Sequence, residues 1–307
     1  MKVFLNEFIH PAAVKRLSEF ATITEDLTDI KSVDAIILRT LKVDRKLMET
    51  AVNLKVIGKH GVGVNTIDVE AAKELGIKVV YTPTANTNSV AELTLALIMD
   101  IARNITMADR KSRDNQFDKI APPELSGTEI TGKTLGLIGM GNIAQRLSII
   151  MKSGFGVKVI GYDPYVNHEK AKQLSISKKE TVGEIIKEAD IVNISVPLNK
   201  STENLVSGEL FNMFKKDAIL VNAARGGVVN EDDLYNALRN KTLRAAACDA
   251  FVVEPPTNEN KLLSLDNFVA TPHIGANTIE ALLRMGMDVV EDVKLVLHGN
   301  KAINEIC

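Results

Sequence analysis

The sequence predicts a parallel α/β protein built from two domains. Three observations carry that reading. Short runs rich in Val and Ile recur along the chain, longer amphipathic segments separate them, and 307 residues are long for one hydrophobic core but comfortable for two. Strands covered on both faces read as continuous apolar runs, and the segments between these runs are long enough for crossover helices.

The elements follow in order. Residues 1–5 read as a first strand. Residues 35–38, 55–57, 78–80, 134–138, 158–162, 191–195, 218–222, 245–249 and 267–270 read as buried strands. Between 89 and 113 the spacing of Leu93, Leu97, Ile101 and Ile105, with no Gly or Pro, predicts one unusually long helix tying the domains together. A loop around Pro122 and Pro123 follows it. A last helix near 279–297 has no strand after it and is expected to return to the first domain. The expected organisation is a discontinuous substrate-binding domain, 1–100 plus 284–307, around a nucleotide-binding domain, 101–283.

Composition narrows the function classes. The chain is 45% hydrophobic and 25% charged, with mean hydropathy +0.04, net charge −2 and pI near 6.3. That balance leaves no electrostatic footprint for nucleic acid or an anionic membrane. Trp is absent and aromatics total 4%, so the core must be aliphatic. Cys248 and Cys307 cannot make a disulfide framework and point to a reducing compartment. Cys307, at the end of the chain, is expected to be exposed and inert. Asn6 and Glu7 interrupt any signal-peptide core, and the apolar run 93–99 stops at Asp100, short of the roughly 20 residues a membrane span needs. A cytoplasmic location is expected. No His, Cys and Asp cluster has metal-ligand spacing, so no metal is expected.

The strongest motif is Gly139-Met140-Gly141-Asn142-Ile143-Ala144, preceded by a strand and followed by a helical stretch. The next strand, 158–162, ends at Asp163, 19 residues after Ala144. Gly139 permits the tight turn, Gly141 lets the backbone approach a pyrophosphate, and Ala144 keeps helix and strand close. The helix N-terminus supplies N–H groups and positive dipole for phosphates. Asp163 would accept hydrogen bonds from the adenosine ribose; the blander reading is an Asp that caps the turn. Asp163 selects NAD over NADP, because a 2′-phosphate about 4 Å away would meet up to ~4 kcal/mol of repulsion at an effective dielectric near 20. A second glycine-rich stretch, Gly58-Lys59-His60-Gly61-Val62-Gly63-Val64-Asn65, also follows a strand, but its next strand ends in Tyr81-Thr82-Pro83 with no acid. It either presents backbone N–H groups to an anion such as a substrate carboxylate, or simply makes a tight turn.

Hydride transfer to a keto acid also needs a cation for the carboxylate and carbonyl, and a general acid. Three candidates sit at strand ends, where ligands bind in such sheets. Arg225 follows Val221-Asn222-Ala223-Ala224, Glu254 lies in Val253-Glu254-Pro255-Pro256, and His273 lies in Thr271-Pro272-His273-Ile274-Gly275-Ala276. A guanidinium binds carboxylate and carbonyl through its planar fork, and a carboxylate beside an imidazole orients the ring. The other histidines read as structural. His10 precedes a Pro and caps a helix, His168 is exposed, and His298 suits a helix C-terminus. His60 adjoins the proposed anion loop and stays a candidate.

These segments resemble the D-isomer-specific 2-hydroxyacid dehydrogenase family. The resemblance covers nearly the whole chain, from 58–68 through Asn88-Ser89-Val90-Ala91-Glu92-Leu93-Thr94 to Ala223-Ala224-Arg225-Gly226-Gly227 and 271–278. It implies two Rossmann-like domains, one flavodoxin-like and one dinucleotide-binding, with a cleft between them that closes on binding, and a homodimer. It implies that Arg225 binds substrate, His273 is the acid/base and Glu254 pairs with it. By the same match Asn142, Ile143, Asp163, Ala223, Arg225, Asp249, His273 and Gly275 join Gly139 and Gly141 around NAD, with Asp249 reaching the nicotinamide carboxamide. Lys59, His60, Val62 and Gly63 join Arg225 as substrate-binding candidates.

Within the family the sequence is most similar to the phosphoglycerate dehydrogenases, which implies 3-phosphoglycerate as substrate and a place in serine biosynthesis. Asn277 replaces a Ser of their HIGAST segment, Asn230 stands where Asp is usual, and Lys59 takes a place where many carry Arg, a cation that would meet a substrate phosphate. No C-terminal regulatory domain is expected, because the chain stops soon after the last helix. Hydroxypyruvate, glyoxylate or a branched 2-keto acid fits the same catalytic set. A rival of another class is an NAD-sensing, corepressor-like binding protein. Formate dehydrogenases, which share the fold, carry Gln in place of the Glu paired with His, so Glu254 counts against that branch.

Overall fold

The computed structural model describes all 307 residues, which divide into two compact units, Met1–Ser89 with Ala276–Cys307, and Val90–Gly275. The divisions thus fall at 89/90 and 275/276, where sequence reading placed them at 100/101 and 283/284.

The first unit contains β1 (Lys2–Phe4), α1 (Pro11–Ser18), β2 (Thr22–Thr24), β3 (Ala35–Leu38), α2 (Arg45–Thr50), β4 (Val56–Lys59), α3 (Val69–Glu74) and β5 (Lys78–Val80). All five strands are parallel, in the order β2-β1-β3-β4-β5. That is the flavodoxin-like order. One face of the sheet packs Ile36, Leu38, Ile57 and Val79 against α2 and α3. The other packs Val3, Ile37 and Val56 against α1 and against Val289, Val290 and Val293 of the C-terminal helix.

α4 (Thr87–Arg103) runs across the division between the units. In the second unit come α5 (Ile105–Arg113), β6 (Thr134–Ile138), α6 (Asn142–Phe155), β7 (Lys158–Tyr162), α7 (His168–Gln173), β8 (Ser177–Lys178) and α8 (Val182–Glu188). They are followed by β9 (Ile191–Ile194), β10 (Ile219–Asn222), α9 (Glu231–Arg239), β11 (Ala245–Cys248) and β12 (Phe268–Ala270). The sheet order is β12-β11-β10-β9-β6-β7-β8, again all parallel. Strand order reverses between β6 and β9, the switch point at which such sheets bind ligands. Aliphatic clusters cover both faces. α10 (Ile279–Leu297) belongs to the first unit.

Three expectations are corrected. The single helix over 89–113 is two helices, broken at Asn104, whose φ of 57° lies in the left-handed region. Asn tolerates that conformation better than other non-glycine residues. The side chain of Asp100 then satisfies the new N-terminus, accepting from the Thr106 N–H at 2.8 Å and its hydroxyl at 2.5 Å. β2 and β8 were not expected. Both are short strands at sheet edges, so neither carries the apolar run that marks a central strand. Cys307 is half-buried and packs against the first unit's core. The buried Asp292 accepts the N–H groups of Ile303 at 2.6 Å and Asn304 at 3.2 Å, folding the C-terminal residues back onto β5, where Val79 donates to the Cys307 carbonyl. No helix is long and apolar enough to cross a membrane.

Candidate active site

In the second unit, β6 feeds directly into the glycine turn. Gly139 has φ +94°, and a Cβ there would come within 2.5 Å of the Ser195 carbonyl, so neither the conformation nor the space admits a side chain. Gly141 precedes α6 and caps it without any side-chain hydrogen bond, which leaves the N–H groups of the first helical turn uncommitted to a side chain. A Cβ on Gly141 would meet no protein atom within 4 Å. Open space above an uncapped helix N-terminus is what a pyrophosphate needs. Asn142 is exposed, Ile143 half-buried and Ala144 fully buried beneath them. Asp163, just past β7, accepts from the Met140 N–H through Oδ2 and from the Tyr165 N–H through Oδ1, each at 2.9 Å. It therefore braces the turn, and each oxygen keeps a further lone pair uncommitted to these N–H groups. These residues fit a dinucleotide.

Three neighbouring strand ends supply the polar groups. At the end of β10 the side chain of Asn222, 2% exposed, folds the chain back on itself: its Nδ2 donates to the Arg225 carbonyl at 2.9 Å and its Oδ1 accepts from the Ala224 N–H at 3.1 Å. Arg225 and Ala223 are half-buried on this turn. The Arg225 guanidinium donates to the Ala224 carbonyl at 2.6 Å; burial lowers its pKa, and the charge of Glu254 partly offsets that. Gly226 follows because nothing else fits: a Cβ there would fall on the Phe251 backbone, beyond the end of β11.

Glu254 and His273 form a pair. Nδ1 of His273 lies 3.0 Å from Oε1 and 2.9 Å from Oε2 of Glu254, and Oε1 also accepts from the Phe251 N–H at 2.9 Å. Burial alone would raise the pKa of Glu254. The hydrogen bonds from His273 and Phe251, with the charges of His273 and Arg225, outweigh it and hold the carboxyl below its ordinary value. His273 itself has φ 56° and is held in a turn whose N–H donates to the Thr271 carbonyl at 3.0 Å. The side chain that fixes this turn is Asp249. It is 1% exposed, and it accepts from the Thr271 hydroxyl at 2.7 Å and from the N–H groups of Ile274 and Gly275, both at 2.8 Å. The resemblance implies that Asp249 reaches the nicotinamide carboxamide; in the structure, three of its roughly four lone-pair directions also serve the His273 turn. In the sequence Asn222 reads only as part of the strand before Arg225, although a polar residue closing an otherwise apolar buried strand is a visible signal.

The remaining candidates lie in the first unit, at the C-terminal end of β4. Lys59, 7% exposed, donates to the Arg39 carbonyl. His60 is 4% exposed, and neither ring nitrogen has a hydrogen-bond partner. Burial, with the charges of Arg39 and Lys59, pushes its pKa down to about 4. Gly61, with φ +140°, is locked to Thr82 by reciprocal 3.0 Å hydrogen bonds, and Val62 and Gly63 are half-buried beyond it. Of the other histidines, His10 caps α1 by accepting from the Ala12 N–H, His298 ends α10, and His168 is exposed beside Glu180. Asn230 caps α9, accepting from the Asp233 N–H at 3.0 Å, a task Asn performs as well as Asp.

Residues 95–275 match the family described as D-isomer specific 2-hydroxyacid dehydrogenase, NAD binding domain. D-3-phosphoglycerate dehydrogenase of Methanocaldococcus jannaschii is 41% identical over 315 residues, which cover 100% of this chain and 59% of that protein. Hydroxypyruvate reductase of Thermotoga maritima is 43% identical over 267 residues, covering 86% of this chain and 85% of that protein. The chain spans 51% to 59% of the length of several phosphoglycerate dehydrogenases it matches. Among solved structures, the TT0316 protein from Thermus thermophilus superposes with a TM-score of 0.93 at 32% identity, covering 100% of both chains.

Proposed function

From a chain that belongs to the D-isomer-specific 2-hydroxyacid dehydrogenase family and carries its NAD-binding domain, we propose a hydride transfer between NAD and the second carbon of a small D-2-hydroxy acid or its 2-keto partner. The observation that carries the proposal is the Glu254–His273 pair, with Oε2 and Nδ1 2.9 Å apart, beside the charge of Arg225. The nicotinamide, when bound, supplies or takes up the hydride. Gly141 and the α6 N-terminus would hold the pyrophosphate, and Asp163 the ribose. With Nδ1 committed to the carboxylate, Nε2 of His273 is the atom that exchanges a proton with the substrate oxygen. In reduction it donates as hydride reaches the carbon; in oxidation it accepts. Glu254 keeps the ring aimed. The Arg225 guanidinium pairs with the substrate carboxylate and polarises the carbonyl.

The proposed substrate is 3-phosphoglycerate, supported by the likeness to the Methanocaldococcus jannaschii enzyme. A second reading, hydroxypyruvate or glyoxylate, is favoured by Lys59, which is buried and bonded to a backbone carbonyl rather than held out for a phosphate, and by the Thermotoga maritima relative. A homodimer in the cytoplasm completes the proposal; light scattering would measure the mass. The decisive experiment is NADH oxidation with 3-phosphohydroxypyruvate, hydroxypyruvate, glyoxylate and pyruvate, in wild type and His273→Asn. Turnover should fall by at least about a hundredfold in the variant, the low end for loss of a general acid, while NADH still binds. Near-wild-type reduction by His273→Asn would defeat the assignment. Tight NADH binding with no turnover on any acid would favour an NAD-sensing protein.

A further inference from the structure

We propose that Glu231, in the first turn of α9, is a positioning residue that holds Glu254 against His273; the inference rests on the hydride-transfer reading above. The loop from Asp249 to Asn260 carries Glu254, yet Val252, Val253 and Glu254 are all exposed and contribute no core contact. Two devices fix it. The ring of Phe251 is buried and meets Phe268 edge-on at 6.3 Å between centroids, with Gly226 beneath its backbone. The other device is the carboxylate of Glu231. Its Oε1 accepts from the Val252 N–H at 2.7 Å and its Oε2 accepts from the Asn260 side-chain amide at 2.8 Å.

One side chain therefore clamps the loop on both sides of Glu254. Bonds to a carboxylate are charge-assisted and roughly twice as strong as neutral ones. The Val252 N–H adjoins that of Phe251, which donates to Oε1 of Glu254, the same oxygen that faces Nδ1 of His273 at 3.0 Å. A shift at Val252 thus passes to the acid within two residues. The anchor is firm, because Asn230 caps α9 and Leu234 and Leu238 bury its inner face. Arg225 begins the segment that Glu231 ends, so one short stretch of chain supplies the guanidinium and steadies the acid.

The test is a double-mutant cycle with Glu231→Ala and Glu254→Gln, read as kcat for keto-acid reduction at saturating NADH, with NADH affinity measured separately. Glu231→Ala should lower kcat about ten- to hundredfold, the range expected for a lost charge-assisted hydrogen bond. It should leave NADH affinity within about twofold, and change kcat less than about twofold further when Gln already stands at 254. Amide hydrogen exchange over 251–260 should quicken in Glu231→Ala. An unchanged kcat, unchanged exchange, or a full Glu231→Ala effect persisting beside Glu254→Gln overturns the proposal. If Glu231→Ala does not fold, Asn260→Ala, which removes one of the two bonds, enters the cycle under the same criteria. Wild-type kcat in Glu254→Gln alone would instead refute the role given to the pair, and the proposal would fall with it.

Discussion

Replacing Asp249 by Asn removes one charge and changes one atom, and the structure says how much that costs. The carboxylate serves two backbone N–H groups, of Ile274 on Oδ1 and Gly275 on Oδ2, and one hydroxyl. Whichever way the new amide turns, its NH2 faces one of those N–H groups. At least one hydrogen bond to a charged acceptor is lost, about 1.5–3 kcal/mol, and one buried donor is left without a partner, about 1–3 kcal/mol. The sum, about 2.5–6 kcal/mol, lies at or below the low end of a domain's usual stability of about 5–15 kcal/mol, so the turn should deform rather than the unit unfold. Expressed as misplacement of His273, and at about 1.4 kcal/mol per tenfold, it lowers kcat by between about sixtyfold and about twenty-thousandfold. The assay is keto-acid reduction at saturating NADH, with a separate NADH titration. A variant that keeps its kcat but loses NADH affinity would refute the reasoning, because the carboxylate would then serve the cofactor and not the turn.

Two further outcomes follow from the same geometry. Asp163→Ala should lower the preference for NADH over NADPH at least about tenfold in kcat/KM, since the repulsion removed is up to ~4 kcal/mol, and should weaken both cofactors because the Met140 and Tyr165 N–H groups lose their acceptor; an unmoved ratio would rule out Asp163 as the selector. His60 is neutral in the fold, with its pKa near 4 against an ordinary 6.5, so its contribution to stability is present above pH 6.5 and is lost as pH falls toward 4. Between about pH 7 and pH 5 that loss is about 2 kcal/mol, and urea unfolding of His60→Leu should lack it; parallel losses in wild type and variant would show that His60 is not the group responsible.

Central strands could be read from the sequence because burial on both faces leaves little room for polar residues. Ile219-Leu220-Val221 and Ala245-Ala246-Ala247 announce themselves in that way. Edge strands obey no such rule. Thr22-Ile23-Thr24 keeps one side in water, and Ser177-Lys178 is two residues long, so neither could be seen. The helix break at Asn104 was hidden for another reason: Asn signals a break less clearly than Gly or Pro, and the capping carboxylate, Asp100, lies a full turn upstream. Arg225, Glu254 and His273 stood out as ionisable groups following apolar strands. What the sequence could not show is partner choice. That Asp249 closes on 271–275, that Glu231 reaches Val252 and Asn260, and that Lys59 turns toward Arg39 all depend on which loops the sheet order makes neighbours.

The missing side chain at 226 has a mechanical consequence. With glycine there, the backbone after β10 lies directly against the peptide at Phe251. Two stretches far apart in the chain are so close that neither can slide without displacing the other. Any backbone movement that carries the turn at Gly226 toward or away from a ligand must displace the peptide at Phe251 with it. The two turns therefore share one seam, and a shift in either backbone is felt by the other.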